Sequence, residues 1–283
     1  MLICAALVYQ AQIMKKAKIV VFLATALLCT ACATSVPQGE EETEKGFADR
    51  GLLWIKHAAE YDAVALQAYQ AAGTHLERFL ADSSWSALPE QTDAAHLPPA
   101  IILDVDETIL SNIDFQLTYD PPFENGKFDK WHRENKATAM PGFASFVEKA
   151  RAAGVEIFFV TNRPCNPPNW SQCSQKSTTI KDIAEAGVKT DADHVLLAQE
   201  RGWTKEKSTR RAWVARRFRV IMLFGDDLGD FIPCVRTDRH APCKDSATAT
   251  GRDAAVREFA RYWGSGWYVL PNPMHGSWTR FLR

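Results

Sequence analysis

The sequence has almost no net charge and no long apolar run. Its 283 residues contain 33 lysines and arginines against 34 aspartates and glutamates, a formal charge of −1, so no overall field attracts the chain to nucleic acid. The apolar run at residues 19–28, IVVFLATALL, is far shorter than the ~20 residues that a helix needs to span a bilayer. With 46% hydrophobic and 24% charged residues, the composition excludes a disordered chain and a multispan membrane protein.

Residues 1–31 are predicted to be a secretory signal peptide. Basic residues come before the apolar run and small residues come after it, which is the order found in such signals. Met14 directly precedes the basic residues and is a candidate for the true start. We expect residues 32–46, which are polar and acidic, to form a flexible tether. The basic residues of the signal are Lys15, Lys16 and Lys18.

The residues around Cys32 are similar to a bacterial lipoprotein cleavage site. Thr30 and Ala31 are small, and Cys32 would become the lipid anchor, although Cys29 stands where leucine is usual. Ala33, in place of an aspartate, resembles outer-membrane sorting. We therefore expect an exported outer-membrane lipoprotein that faces the periplasm or the cell surface and touches the membrane only through this lipid. Ordinary cleavage near Ala31 or Ala33, which would give a soluble periplasmic protein, is the alternative.

Four further cysteines would remain in the mature protein, an even number in an oxidising compartment. They allow three pairings. The favoured pairing joins Cys165 to Cys173 and Cys234 to Cys243, because each pair brackets a short loop that contains proline. No two of the four have C-x-x-C spacing, which makes zinc binding the weaker alternative.

The region from residue 47 to residue 99 is predicted to be mainly helical. Between residues 47 and 80 there is no proline, and apolar side chains recur every three or four residues. Gly73 is the expected break or kink. His57 and Tyr61 lie on the presumed apolar side, and we expect both to be in the core.

Short apolar runs alternate with amphipathic segments over residues 100–283. Runs that are buried on both faces are typical of parallel strands, and the helices between them indicate a sheet covered on both sides. The predicted fold class is α/β, a Rossmann-like core with a parallel sheet, helices on both faces and a smaller, mainly helical cap inserted around residues 111–140. The predicted strands are 100–104, 155–161, 194–198, 219–225 and 267–271.

Acidic residues gather where two of these strands end. The first strand runs into Asp104 and Asp106, and the fourth runs into Asp226, Asp227 and Asp230. Ligands of parallel sheets bind beyond the carboxyl ends of the strands. Crowded carboxylates repel one another and favour a cation, and oxygen ligands without a nearby histidine indicate Mg²⁺. The sequence therefore predicts one divalent cation at this edge of the sheet.

The same residues predict phosphate-ester hydrolysis. One carboxylate can attack phosphorus and form an acyl phosphate, and a second can protonate the leaving alcohol and later deprotonate the hydrolytic water. The second strand ends in Thr161 and Asn162. Their hydroxyl and amide groups, together with a lysine, can hold the phosphoryl oxygens.

The chain resembles the haloacid dehalogenase (HAD) superfamily in DVDET at 104–108, VTNR at 160–163, a downstream lysine and GDDLGD at 225–230. More narrowly it resembles the class C bacterial acid phosphatases, a family of exported lipoproteins with 5′-nucleotidase activity. That match rests on DVDETILSN, IFFVTNRP, EKSTRR, LFGDDLGDF and LPNPMHGSW. It implies an exported, Mg²⁺-dependent acid phosphatase that works through an aspartyl phosphate.

The resemblance assigns catalytic roles to five residues. Asp104 would be the nucleophile and Asp106 the general acid and base. Thr161 would bind the phosphoryl group, with Asn162 beside it. Lys207 would steady both the phosphoryl group and the nucleophile.

The resemblance also assigns the metal ligands. Mg²⁺ would lie on the side chains of Asp104 and Asp226 and on the backbone carbonyl of Asp106, and Asp230 would orient the metal shell. Related chains often carry asparagine where this chain has Asp227. The additional carboxylate would strengthen metal binding, raise the pKa of a neighbouring group or point to solvent.

The run KSTRR favours Lys207 over Lys205 as the site lysine. We expect Arg210 and Arg211 to form a solvated helix face, so no nucleic-acid partner is predicted. The expected partners are small phosphomonoesters, namely 5′-nucleotides or aryl phosphates, and a homo-oligomer is left open. Aromatic residues of the cap would mostly pack against each other, with some facing substrate: Phe115, Tyr119, Phe123, Phe128 and Trp131.

Two other functions fit the same residues. A non-catalytic surface lipoprotein could bind a nucleotide on this scaffold, although it would not need the acid/base Asp106. A phosphotransferase would pass the phosphoryl group from Asp104 to an alcohol instead of water.

Overall fold

The computed structural model describes residues 44–118, 123–134, 136–166 and 173–281. The predicted signal peptide, Cys32 and Tyr119 lie outside these ranges. The described strands are β1 (Pro99–Leu103), β2 (Leu110–Ser111), β3 (Thr138–Ala139), β4 (Glu156–Pro164), β5 (Val195–Ala198), β6 (Arg219–Gly225) and β7 (Trp267–Val269).

Helices lie before, between and after these strands. They are α1 (Glu44–His57), α2 (Ala59–Ala81), α3 (Ile113–Gln116), α4 (Asn125–Arg133), α5 (Phe143–Ala152), α6 (Ser174–Glu185), α7 (Ser208–Ala215) and α8 (Ala249–Glu258). Two 3-10 helices cover Leu228–Asp230 and Ser277–Phe281. Within the described residues, none of the helices is long and apolar enough to cross a membrane.

The central sheet has the order β5-β4-β1-β6-β7, and every neighbouring pair is parallel. The predicted α/β class and its five parallel strands are therefore confirmed. Successive side chains of a strand point to opposite faces. Ile101 and Leu103 of β1 accordingly pack in one core and Ile102 packs in the other, which explains why each strand is a continuous apolar run.

Helices α2 and α5 cover one face of the sheet. Tyr69 of α2 stacks on Phe224 of β6, with ring centroids 5.2 Å apart. The Tyr69 hydroxyl donates a hydrogen bond of 2.9 Å to the carbonyl of Thr108 in the loop after β1. This contact joins the helical region to the loop that carries the DVDET motif.

The predicted break at Gly73 is wrong, because α2 continues through this residue and the chain leaves the helix at Ala58 instead. Ala58 has φ −84° and ψ 124°, which is extended backbone. Gly73 is buried, and its carbonyl accepts a 2.7 Å hydrogen bond from Lys149 of α5. Packing against α5 outweighs the cost of about 1 kcal/mol for a glycine within a helix.

The break at Ala58 also changes which side chains are buried. Tyr61 is in the core as expected, but His57 is exposed. The basic end of α1 precedes the acidic first turn of α2, a charge order that favours a helix end followed by a helix start. A helical periodicity that is extended without interruption from α1 into α2 therefore places His57 on the buried side, although it is exposed.

The cap is built on a two-stranded antiparallel ribbon. Leu110 and Ser111 of β2 pair with Ala139 and Thr138 of β3, and α3 and α4 lie between these strands in the chain. Its aromatic side chains pack on one another, with the rings of Phe115 and Phe128 5.0 Å apart. The region is mainly helical, as predicted from the sequence.

Arg219 at the start of β6 completes the carboxyl end of α2. Its Nη1 donates to the carbonyls of Phe79, Asp82 and Trp85 at 3.0–3.1 Å, and the residue is buried. Carbonyls at the end of a helix have no partner within the helix. Arg219 thus links the helical region to the sheet.

We predict that Arg219→Met lowers the free energy of unfolding by about 2 kcal/mol, because the carbonyls of Phe79, Asp82 and Trp85 lose a charged donor. Urea unfolding followed by circular dichroism measures the loss. Arg151→Met, at an exposed position of α5, is the matched control and should change the free energy by less than about 0.5 kcal/mol. Equal effects of the two substitutions would contradict this role of Arg219.

Candidate active site

A cavity of about 1400 Å³ lies at the carboxyl ends of β1, β4 and β6. Strand ends of a parallel sheet meet at one edge, which is the expected position of a ligand site. The seven side chains predicted for the site all line this cavity. They are Asp104, Asp106, Thr161, Asn162, Lys207, Asp226 and Asp230.

Lys207 joins two of the carboxylates. Its Nζ lies in contact with Asp104 Oδ1 and 2.5 Å from Asp230 Oδ1, and all three side chains are less than a tenth exposed. Asp230 Oδ2 accepts a 3.0 Å hydrogen bond from the backbone N–H of Asp227. A Cβ at Gly225 would overlap Asp230, so the glycine that ends β6 gives Asp230 room to reach Lys207.

Asp104, Asp226 and Asp230 form a compact group of oxygen donors. One carboxylate oxygen from each lies within 4.8 Å of the others. Asp226 Oδ2 also accepts a 2.6 Å hydrogen bond from Asn272 Nδ2 in the LPNPMHGSW segment. Three oxygen donors without a histidine or cysteine among them suit a hard divalent cation such as Mg²⁺.

The protonation of this group reflects its burial. Burial raises the pKa of Asp104 to about 7 despite Lys207, with Asp230 adding to the rise. Burial and the charges of Asp230 and Asp104 raise the pKa of Asp226 well above its ordinary value. Burial alone would lower the pKa of Lys207, but Asp104 and Asp230 outweigh it and raise the pKa. The lysine therefore stays charged beside Asp104 and Asp230.

Asp106 lies apart from the other carboxylates and has its own cation. Arg163 Nη2 donates to Asp106 Oδ1 at 2.8 Å and Arg163 Nε donates to Oδ2 at 3.0 Å, while Asn112 Nδ2 donates to Oδ1 at 2.9 Å. Burial would raise the pKa of Asp106, but Arg163 holds it well below its usual range. The Asp106 side chain is thus outside the group of three carboxylates, consistent with a metal contact through its backbone carbonyl only.

Arg210 and Arg211 are buried, so the predicted solvated helix face is wrong for both. Arg210 donates from Nη1 to the carbonyl of Thr161 and from Nη2 to Asn162 Oδ1 at 2.6 Å. Burial lowers the pKa of Arg210 to about 10. The Thr161 carbonyl and the Asn162 side-chain oxygen lie near the end of β4 beside the site, and Arg210 is buried because it donates hydrogen bonds to both.

Arg211 performs the same task for the 3-10 helix Leu228–Asp230, which follows β6. Its Nη1 donates to the carbonyls of Gly229 and Asp230 at 2.9 and 2.8 Å. Lys207 and the first residues of α7 therefore contact Asp104 after β1, the end of β4 and the 3-10 helix after β6. The segment KSTRR thus fixes the relative position of these three segments.

Asp227 neither joins the carboxylate group nor points to solvent. Its Oδ1 accepts from Gly229 N and Ser277 Oγ at 2.9 and 2.8 Å, and its Oδ2 accepts from Ser277 N at 2.5 Å. The pKa of Asp227 is lowered: burial would raise it, but the backbone donors of Gly229 and Ser277 outweigh burial. Asp227 anchors the C-terminal segment beside the site. In the same segment, His275 Nε2 lies 3.1 Å from Glu107 Oε2.

Both predicted disulfides are formed. Cys165 is bonded to Cys173 and Cys234 is bonded to Cys243. The first disulfide closes the loop between β4 and α6. The second follows the 3-10 helix that contains Asp230. Each disulfide constrains a loop near the cavity.

Several residues of the site have no clear sequence signal. Asn272 contacts Asp226 of the carboxylate group but could be identified only from the motif that contains it. Arg163 lies within the recognised VTNR motif, yet arginine is usually exposed. His132 and Asp182, which contact Arg163, come from different helices, and only the fold brings them together.

A family model for the HAD superfamily, subfamily IIIB (Acid phosphatase), matches residues 41–278. Two structures of class C acid phosphatase from Bacillus anthracis, one of them a crystal structure with tungstate bound, are each 28% identical in sequence to this chain. They have TM-scores of 0.65 and 0.63, and the alignments cover 82% of this chain and 86% and 87% of the two structures. The fold is therefore that of HAD class C acid phosphatases.

A curated relative, Acid phosphatase 1 of Solanum lycopersicum, is 27% identical over 143 residues. The alignment covers 46% of this chain and 51% of the relative. The chain thus spans about half the length of that protein.

We predict a pH-dependent stability difference between the wild type and Asp226→Asn in the presence of a chelator. A raised carboxyl pKa in the folded state stabilises below the unfolded value of about 4, and this contribution is lost as pH rises toward the folded pKa. The Asp226→Asn variant has no titrating group at this position, so its stability does not fall for this reason as pH rises. The free energy of unfolding of the variant relative to the wild type should therefore rise as pH increases from about 4 toward the raised pKa of Asp226, at up to about 1.4 kcal/mol per pH unit, and its relative melting temperature should rise with it.

Differential scanning fluorimetry measures both melting temperatures across this range. Excess Mg²⁺ is the control condition, because a cation that binds the wild type should reduce or reverse the advantage of the variant. A difference that does not change with pH in chelator would contradict the raised pKa of Asp226.

Proposed function

The chain belongs to the HAD superfamily, in the subfamily IIIB of acid phosphatases, and on that premise we propose that it hydrolyses phosphomonoesters at Asp104. The observation that carries this proposal is the contact of Lys207 with both Asp104 and Asp230 in a cavity at the strand ends. In this arrangement a carboxylate oxygen of Asp104 lies beside the buried ammonium group of Lys207. A phosphoryl group needs the carboxylate as nucleophile and the positive charge to stabilise its oxygens.

In the first step, an oxygen of Asp104 attacks phosphorus and the bond from phosphorus to the ester oxygen breaks. Asp106, which Arg163 keeps ionised in the absence of substrate, takes up a proton when the phosphomonoester binds and gives it to the leaving alkoxide. In the second step, Asp106 takes a proton from water as the water oxygen attacks phosphorus, and the bond from phosphorus to Asp104 breaks. Inorganic phosphate leaves and Asp104 is regenerated.

Thr161, Asn162 and Lys207 hold the phosphoryl oxygens in this proposal. Thr161 is buried and lines the cavity, and its Oγ1 accepts a 3.1 Å hydrogen bond from Arg163 N. The hydroxyl proton of Thr161 can therefore point toward an anion. Arg210 binds the Asn162 oxygen, so that the amide nitrogen of Asn162 serves as the donor. Lys207 adds a charge that does not depend on pH near neutrality.

We propose Mg²⁺ as the cofactor, held by Asp104 and Asp226 with the backbone carbonyl of Asp106. Both oxygens of Asp230 already have partners, Lys207 and the N–H of Asp227. Asp230 therefore orients the group rather than contributing a free ligand. When bound, the cation neutralises the charge of the phosphoryl oxygens and of the clustered carboxylates.

We propose 5′-nucleotides and aryl phosphates as the substrate class. Phe123 and Phe128 of the cap line the cavity, and Phe123 is about half exposed. An exposed ring at the mouth of a phosphate site can stack on a nucleobase or an aryl group. The other described cap aromatics are covered by each other and serve the packing of the cap.

We predict that Asp104→Asn lowers phosphate release from p-nitrophenyl phosphate and adenosine 5′-monophosphate by at least about 10⁴-fold, because the amide oxygen is a poor nucleophile. A phosphate assay at saturating Mg²⁺ measures the loss. Asp253→Asn, at an exposed position of α8, is the matched control and should retain wild-type activity. Activity that survives in Asp104→Asn would refute the nucleophile, and an inactive wild type would favour a ligand-binding protein.

A chelator should abolish the activity of the wild type, because the carboxylate group and the phosphoryl oxygens lose the cation that neutralises their charge. Added Mg²⁺ should restore the activity. Inductively coupled plasma measurement of the bound metal verifies removal. Full activity of metal-free protein would refute the cofactor proposal while leaving the phosphatase proposal intact.

We propose export as a lipoprotein through Cys32. Labelled palmitate should be incorporated into the full chain expressed in a bacterium, and Cys32→Ser should abolish incorporation. Cys4→Ser is the control, because Cys4 would leave with the signal. Label that persists in Cys32→Ser would exclude this anchor and favour a soluble periplasmic protein.

A further inference from the structure

A buried network of charged side chains connects Asp106 with the cap. Arg163 binds Asp106 through Nε and Nη2, and its Nη1 donates to Asp182 Oδ2 at 2.5 Å and Thr179 Oγ1 at 3.2 Å on α6. His132 of α4 has its Nδ1 2.8 Å from the same oxygen of Asp182. Four segments therefore meet in one network: the loop after β1, the end of β4, α6 and the cap helix α4.

The network is almost entirely removed from solvent. The side chains of Arg163, Asp182 and His132 are 5%, 1% and 2% exposed, whereas that of Asp106 is 20% exposed. His132 packs against the rings of Phe128 and Trp131, with centroids 4.4 and 4.9 Å away. Buried ionic groups hold one geometry, because any other arrangement leaves a desolvated charge without its partner.

The geometry of Asp106 depends on Arg163 in a specific way. The guanidinium contacts both carboxylate oxygens, which fixes the plane of the carboxylate as well as its position. Asp182 in turn fixes the guanidinium from the opposite side. In the tautomer protonated at Nδ1, His132 donates to Asp182 and presents Nε2 to Arg163 Nη2 at 3.1 Å. The orientation of Asp106 is therefore set by groups that do not touch Asp104.

We infer, on the basis of the proposed function, that Arg163, Asp182 and His132 are positioning residues that hold Asp106 in the orientation needed for proton transfer. Because His132 lies on cap helix α4, this proton transfer depends on the position of that helix. Asp106 must place its proton on the leaving oxygen as the bond to phosphorus breaks. A tilt of the carboxylate plane weakens that transfer. The nucleophile is held separately by Lys207, and among the described residues neither Lys207 nor Asp104 forms a hydrogen bond or ion pair with this network.

The dependence of rate on the leaving group separates this role from a structural one. A nitrophenolate leaves readily without a proton, whereas an alkoxide needs one. We expect Asp182→Asn and His132→Gln to lower kcat/KM for glycerol phosphate about tenfold more than kcat/KM for p-nitrophenyl phosphate, within the range that general acids contribute. Phenyl phosphate should lie between the two. A merely structural role would lower all three values by the same factor.

Glu200→Gln is the matched control. Glu200 forms a buried ion pair of 2.6 Å with Lys176, which lies on α6 as Asp182 does, but this pair does not contact Asp106. Its loss should change all substrates equally. Circular dichroism and melting temperatures of every variant report on folding. Arg163→Lys keeps one charged donor, so its preference for p-nitrophenyl phosphate should lie between that of the wild type and that of Asp182→Asn.

The test is completed in an Asp106→Asn background, where Asp182→Asn should cause no further change in leaving-group preference, because the positioned group is absent. An undiminished effect in this background would overturn the inference, as would equal losses for all substrates in folded Asp182→Asn and His132→Gln. If one of these variants fails to fold, the other decides. A wild type without activity would instead refute the proposed function itself.

Discussion

Buried carboxylates that lie close together repel one another, and the arrangement of this site follows from that constraint. Oxygens of Asp104, Asp226 and Asp230 lie within 4.8 Å of each other at the edge of a parallel sheet. Lys207 supplies one positive charge between two of them. Burial and the remaining excess of negative charge raise the pKa of Asp226, and this excess favours a divalent cation. Lys207 and a bound divalent cation would both attract a phosphoryl dianion, so the charges that stabilise the carboxylate group would also bind substrate.

Cations hold the rest of the site in place as well. Helix α7 begins at the residue after Lys207, and its two buried arginines bind the end of β4 and the 3-10 helix that follows β6. Arg163 performs the corresponding task for Asp106 and extends to the cap. The nucleophile and the acid/base therefore have separate supports, Lys207 for Asp104 and Arg163 for Asp106. The two carboxylates are therefore positioned independently of each other.

The parts of this structure that could be predicted from sequence are those with a local physical signal. A strand buried on both faces is a continuous apolar run, so β1, β4, β5, β6 and β7 were recognisable. Motif residues at strand ends, such as Asp104 and Thr161, followed from the same pattern. The helix break was misplaced because intrinsic preference singles out Gly73, whereas packing against α5 keeps α2 continuous there. Arg210 and Arg211 were placed in solvent because the usual preference of arginine contains no information about carbonyls at a distant strand end. Asp182 and His132 are 50 residues apart in sequence, and only the topology of the sheet and cap brings them to Arg163.

The most direct test of the central claim is to identify the phosphorylated residue during turnover. Acid quenching of the wild-type protein with p-nitrophenyl phosphate, followed by tandem mass spectrometry of its peptides, locates the phosphoryl group. The account predicts a phosphoryl adduct on Asp104, the carboxylate in contact with Lys207. An adduct on Asp106, Asp226 or Asp230 during turnover would contradict it.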